Sequence, residues 1–90
     1  MGTNYYAVSK KPTVAEPIHI GKSSAGWTFV IQEQNNPPAV WHSYGEMMQW
    51  LKTHDDYVIM NEYDEVITLD EFTEIVERTG GYRLIDGEFV

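Results

Sequence analysis

The chain has 90 residues and a formal net charge of −8, from 14 Asp and Glu against 6 Lys and Arg. It is 42% hydrophobic and 13% aromatic, too rich in core formers for a disordered chain and too short for two cores. Cysteine is absent, which excludes disulfides, thiolate metal sites and thiol nucleophiles together.

Thr3–Val8 (TNYYAV) is rich in β-formers and predicts a first strand, followed by a loop over Ser9–Pro17 with two lysines and two prolines. Ile18-His19-Ile20 and Trp27–Ile31 (WTFVI) flank the polar, glycine-bounded segment Gly21–Gly26, which predicts a hairpin with that segment as its loop. Gln32–Ala39 contains Asn35-Asn36-Pro37-Pro38 and reads as an exposed loop, because consecutive prolines donate nothing to a ladder. A first helix is expected from Ser43. Ser43 and Glu46 have capping-box spacing, and Tyr44, Met47, Trp50, Leu51 and His54 share one face before Asp55-Asp56 ends the helix.

Tyr57–Glu62 and Glu65–Ile67 follow as strands joined by a tight turn near Asn61–Asp64. The second helix has the stronger signature. Thr68 and Glu71 form a capping box, Ile67 and Phe72 a hydrophobic staple, and Gly80 stands as the C-terminal cap. Leu69, Phe72, Ile75 and Val76 make its apolar stripe. Tyr82–Ile85 and Glu88–Val90 straddle the turn dipeptide Asp86-Gly87, which predicts a last strand with a possible hairpin. The expected fold is therefore α+β: one domain over residues 1–90, a mainly antiparallel sheet with two helices packed on one face.

The charge is unevenly placed. Residues 1–42 hold three lysines against Glu16 and Glu33, a balance of +1, whereas residues 43–90 hold Lys52, Arg78 and Arg83 against twelve acids, a balance of −9. An acidic half repels phosphate backbones, so direct nucleic-acid binding is not expected. Either the acids solubilise the surface, or they meet a basic protein, or they mimic nucleic acid. Asp70, Glu74 and Glu77 fall beside or opposite the apolar stripe of the second helix and are the candidate binding residues. Trp41, Tyr44, Trp50, Tyr57 and Tyr63 lie in or near the acidic half. Trp41, after the proline-rich loop, is the aromatic we place on the surface as a possible binding anchor; core filling is the competing role for all five.

Catalytic patterns are weak. Gly21-Lys22-Ser23 ends like a phosphate-binding loop, but Glu16 stands where that pattern needs glycine, and a strand follows instead of a helix. His19, His42 and His54 lack the short spacings that share a metal, and Asp64-Glu65 and Asp70-Glu71 lack the glycine of a calcium loop, so no metal or cofactor is expected. His54 fits an ordinary interaction with a helix C-terminus. An alternative of a different class is a small-ligand binder or enzyme built from His19, Lys22, Ser23 and Ser24 in the hairpin loop. The N-terminal residues lack a signal-peptide pattern and the longest apolar runs are too short to span a bilayer, so a cytoplasmic protein away from membranes is expected.

Met1-Gly2-Thr3-Asn4-Tyr5-Tyr6, His19–Trp27 (HIGKSSAGW) and Asn61–Ile67 (NEYDEVI), the last leading into a helix from Thr68, resemble a family of small uncharacterised proteins from bacteriophages and prophages. Many members of that family carry a Cys-x-x-Cys pair in the loop matching Ser9–Pro17; this chain has none, so metal binding does not carry over. The resemblance implies phage origin and a host-cytoplasm setting. It directs the functional expectation to an accessory protein that binds and modulates a host protein, such as a defence or gene-expression component, with an acidic nucleic-acid mimic as the alternative.

Overall fold

The computed structural model of the chain describes residues 2–11, 16–24, 27–37, 39–78 and 80–85. The elements run β1 (Gly2–Ser9), β2 (Ile18–Ser24), β3 (Trp27–Gln32), β4 (Gln34–Asn36), β5 (Ala39–Trp41), α1 (Tyr44–Thr53), β6 (Tyr57–Asn61), β7 (Val66–Ile67), α2 (Leu69–Arg78) and β8 (Tyr82–Ile85). Six strands form one sheet in the order β7-β6-β1-β2-β3-β8. Its pairings are antiparallel except for β3 with β8, where Phe29–Gln32 run parallel to Tyr82–Ile85. The fold is α+β with a mainly antiparallel sheet, as its pattern of elements predicts.

Alternation along the strands puts Tyr5, Ala7, Ile20, Phe29, Ile31 and Ile59 into the core, where they join Met47, Trp50 and Leu51 of α1 and Phe72 and Val76 of α2. Both helices therefore cover the same face of the sheet. Phe72 is fully buried, and its ring meets Phe29 and Tyr5 edge-on at 5.3 and 5.7 Å.

The caps of α2 follow from local sequence. The Thr68 hydroxyl accepts the Glu71 N–H at 3.1 Å, while a Glu71 carboxylate oxygen accepts the Thr68 N–H at 3.0 Å. At the other end Gly80 N–H donates to Glu77 O and Gly81 N–H to Val76 O, with φ of 85° and 113° at the two glycines. This is the paired bonding of a left-handed C-terminal cap, which only glycine adopts without strain. In α1 Ser43 Oγ accepts the Glu46 N–H at 3.1 Å, but the Glu46 carboxylate reaches one residue further back, to His42 N–H at 2.9 Å. The turn near Asn61–Asp64 also stands: buried Asn61 accepts the N–H groups of Tyr63 and Glu65 on its Oδ1, and Asp64 takes a φ of 63°.

Three expectations change. The segment from Gly21 to Ser24 is strand rather than loop, and β2 runs on through it. Tyr5 pairs with Gly21 and Tyr6 with His19, so Ile20 is an extra residue that bulges β2. The bulge brings Gly21 under Phe29; a Cβ on Gly21 would stand 2.5 Å from Phe29 Cε1 and 2.6 Å from the Val30 carbonyl oxygen. Second, the stretch expected as an exposed loop over Gln32–Ala39 folds into the β4–β5 hairpin, with Gln34 opposite Trp41 and Asn36 opposite Ala39. Third, Trp41 is fully buried instead of lying on the surface. Alternation in β5 turns Ala39 and Trp41 inward, the indole packs against Trp50 at 5.2 Å, and its Nε1–H donates to the Gln32 carbonyl at 2.7 Å. The hairpin expected around Asp86-Gly87 and the residues Ala25-Gly26 lie outside the described residues.

Candidate functional site

Asp70, Glu74 and Glu77 are all exposed on α2, as are Glu71 and Arg78. Glu74 forms a loose i,i+4 pair with Arg78 at 3.4 Å, with both side chains about seven-tenths exposed, so water screens it heavily. Glu71 differs from its neighbours. Accepting the Thr68 backbone N–H, and secondarily the Thr68 hydroxyl, holds its carboxyl below the ordinary carboxylate range. The helix that carries these acids is anchored by buried Phe72 and Val76 and capped at both ends, so the carboxylates project from a rigid support.

The alternative set of His19, Lys22, Ser23 and Ser24 lies on one strand rather than around one loop. Lys22 pairs with Asn4 and Ser23 with Thr3, so alternation sends their side chains to opposite faces of the sheet. His19 shares the helix-free face with Lys22. Its Nε2 is 3.0 Å from Asn4 Oδ1, and Asn4 in turn donates its backbone N–H and Nδ2–H to Glu62 Oε1 at 2.7 and 3.3 Å. The Tyr6 ring lies against the imidazole, with centroids 5.3 Å apart. The side chain of Ser24 is outside the described residues. A serine, a histidine and an acid are thus not brought together by Ser23, and His19, Lys22 and Ser23 do not share one face.

The Glu62–Asn4–His19 chain was not anticipated, although the alternation Asn4, Tyr6, Val8 against buried Tyr5 and Ala7 was available to mark one face. The other histidines are engaged elsewhere. His42 contacts Glu33 through Nδ1. His54 stacks on Trp50 with centroids 4.0 Å apart, and its Nδ1 is 2.9 Å from the Trp50 carbonyl, consistent with the helix-terminus role. Among the described residues no group of three His, Asp or Glu side chains could hold a metal ion, and no helix is long and apolar enough to cross a membrane.

Among the described residues, grooves open at two places that bear on the candidate sites. One, of about 360 Å³, runs between the end of α1 and the start of α2, over Leu51, Tyr57, Ile59, Ile67 and Leu69. The other, of about 290 Å³, lies on the helix-free face between Tyr6, Val8, Pro17 and Met60, with Glu62 and Asp64 at one side. Lys10, Lys52, Asp55 and Thr68 stand at the rim of the first groove.

No family model, no curated protein and no solved structure matches the chain.

Proposed function

We propose that this chain is an accessory protein of phage origin that binds and modulates a host protein in the host cytoplasm, meeting a basic surface of that partner with Asp70, Glu74 and Glu77. The phage setting comes from the sequence resemblance. The binding surface rests on one observation: these carboxylates are exposed together on a helix fixed at both ends. Exposed like charges on a rigid element raise association rates with an oppositely charged partner and lose little entropy on docking.

The test begins with affinity capture from host lysate and continues with association rates for the captured partner. Glu74→Lys with Glu77→Lys should slow association and flatten its dependence on salt, while moving folding stability by no more than about 1 kcal/mol. Unchanged binding by that protein, with loss of binding in Lys22→Ala, would move the site to the sheet face that carries His19 and Lys22.

A further inference from the structure

The face of the sheet away from the helices has an unusual composition. An antiparallel sheet with one wet face normally alternates apolar inward with polar outward. Here the outward positions of β1, β3 and β6 include Tyr6, Val8, Val30, Val58 and Met60, all half-buried, and Val66 on β7 is 60% exposed. Apolar residues at wet positions mark a surface that is covered in use.

The register sets out the charges along this face. Arg83 of β8 pairs with Val30 of β3, Val30 with Lys22 of β2, and Lys22 with Asn4 of β1, while Glu62 at the end of β6 is bonded to Asn4. One row across the sheet therefore reads Glu62, Asn4, Lys22, Val30, Arg83: a carboxylate toward one edge and two cations toward the other. The adjacent row is Val66, Met60, Tyr6, His19, and Val58 and Val8 pair beyond it. The row has no internal ladder of opposite charges, but it complements its own reversed copy.

We infer that the helix-free face is a homodimer interface, in which a second copy of this chain packs its sheet against the first about a two-fold axis. The axis runs along the strands, midway between β1 and β2. That operation lays β6 over the partner's β3 and β1 over the partner's β2. Glu62 then falls between the partner's Lys22 and the partner's Arg83, and the reciprocal contact forms by symmetry. Tyr6 meets the partner's His19, so the ring pair of each copy extends into a four-ring cluster at the centre. An axis perpendicular to the strands would instead set Glu62 against Glu62, so the charges select one geometry. Packed sheets rotate by about 30° on each other, which moves Glu62 by only a few ångströms because the row lies across the axis. The acids of α2 stay on the outside, so this inference stands independently of the proposed function and needs no partner protein for its test.

Sedimentation of the purified protein over a range of concentrations gives that test. The wild type should be a dimer. Glu62→Lys and Lys22→Glu should each be monomeric, since each sets like charges together twice per interface. Mixed in equal amounts, the two variants should recover a heterodimer. One side of the interface then keeps the wild-type contact of Glu62 with Lys22 and Arg83, and the other pairs the two substituted side chains with opposite charge, against a single like-charge contact at Arg83. Recovery on mixing also shows that both variants are folded; Arg83→Glu, at an exposed edge position, gives an independent weakening of the same contact. A wild-type monomer at the highest soluble concentration would overturn the inference, as would a dimer indifferent to both changes. So would two monomeric variants that stay monomeric when mixed.

Discussion

Gly21→Ala puts the bulge in β2 to a direct test. The new methyl would meet Phe29 Cε1 at 2.5 Å and the Val30 carbonyl oxygen at 2.6 Å. The first contact is with a fully buried ring packed against the rings of Tyr5 and Phe72, and the second is with backbone inside the β2–β3 ladder. Neither neighbour is the free end of a flexible side chain, so the strain cannot be shed locally. Overpacking of this kind costs about 1–3 kcal/mol, and two blocked directions place this case near 3. For a 90-residue domain of ordinary stability that is a quarter to a half of the whole, and lowers the melting temperature by roughly 10–20 °C. Urea melts with an unchanged slope would measure it. Phe29→Leu in the same background should recover part of the loss, leaving the carbonyl contact in place, and a double-mutant cycle would show coupling of about 0.5–3 kcal/mol. A Gly21→Ala protein as stable as wild type would refute the bulge register, and with it the close approach of β2 to Phe29.

Thr68→Ala should cost about 1 kcal/mol through loss of the N-cap, and Phe72→Ala about 3–5 kcal/mol through the cavity left between Tyr5 and Phe29; equal, small losses in urea would show α2 to be misplaced. Because the Glu71 carboxyl is held below its ordinary range in the folded state, its contribution is present above the unfolded carboxylate range and lost as pH falls through the lowered value. Glu71→Gln should therefore show a flatter loss of stability on acidification in that window, and an acid slope equal to that of wild type would contradict the capping box as its cause. Trp41→Phe keeps most of the packing but removes the indole N–H bond to the Gln32 carbonyl, so it should cost about 0.5–1.5 kcal/mol. A negligible change in its urea midpoint would mean that the indole bond adds no net stability.

What the sequence made legible is what short-range chemistry decides. The ends of α2 are set by Thr68, Glu71 and Gly80, each acting within three residues and as its spacing requires; Gly81 joins the C-terminal cap by reaching five residues back to Val76. The turn at Asn61 and the inward alternation of β1 belong to the same class. The failures arise where distant chain decides. Nothing in Gln34-Asn35-Asn36 favours a strand; that segment is held by pairing with Ala39–Trp41 across the prolines. The inward turn of Trp41 depends on Trp50, which the helix brings in from nine positions away. Gly21 looked like the start of a loop because glycine weakens strands, but its role is to admit a ring from the neighbouring strand. For the candidate sites the division is similar. Exposure of Asp70, Glu74 and Glu77 follows from helical spacing alone. The row from Glu62 to Arg83 joins four strands and the turn after β6, and no local pattern reveals it.

The parallel pairing of β8 with β3 bears on the order in which the chain acquires its structure. Phe29 and Tyr82 are 53 positions apart (82 less 29), and every element from β4 to α2 lies between them. Closing so long a stretch costs about 3.5 kcal/mol in chain entropy beyond a constant term. The cost falls once β6 has docked on β1 and both helices have packed, because the path still to be fixed is then short. The β1–β2 and β2–β3 ladders need no such preparation, since their partners are near in sequence. β8 should thus be the slowest of the described strands to gain amide protection during refolding and the first to lose it in the native protein. Its position at one edge of the sheet lets it open without breaking the ladders behind it. Arg83 travels with it, so fraying of this edge would switch off one of the two cations in the row before the core is disturbed.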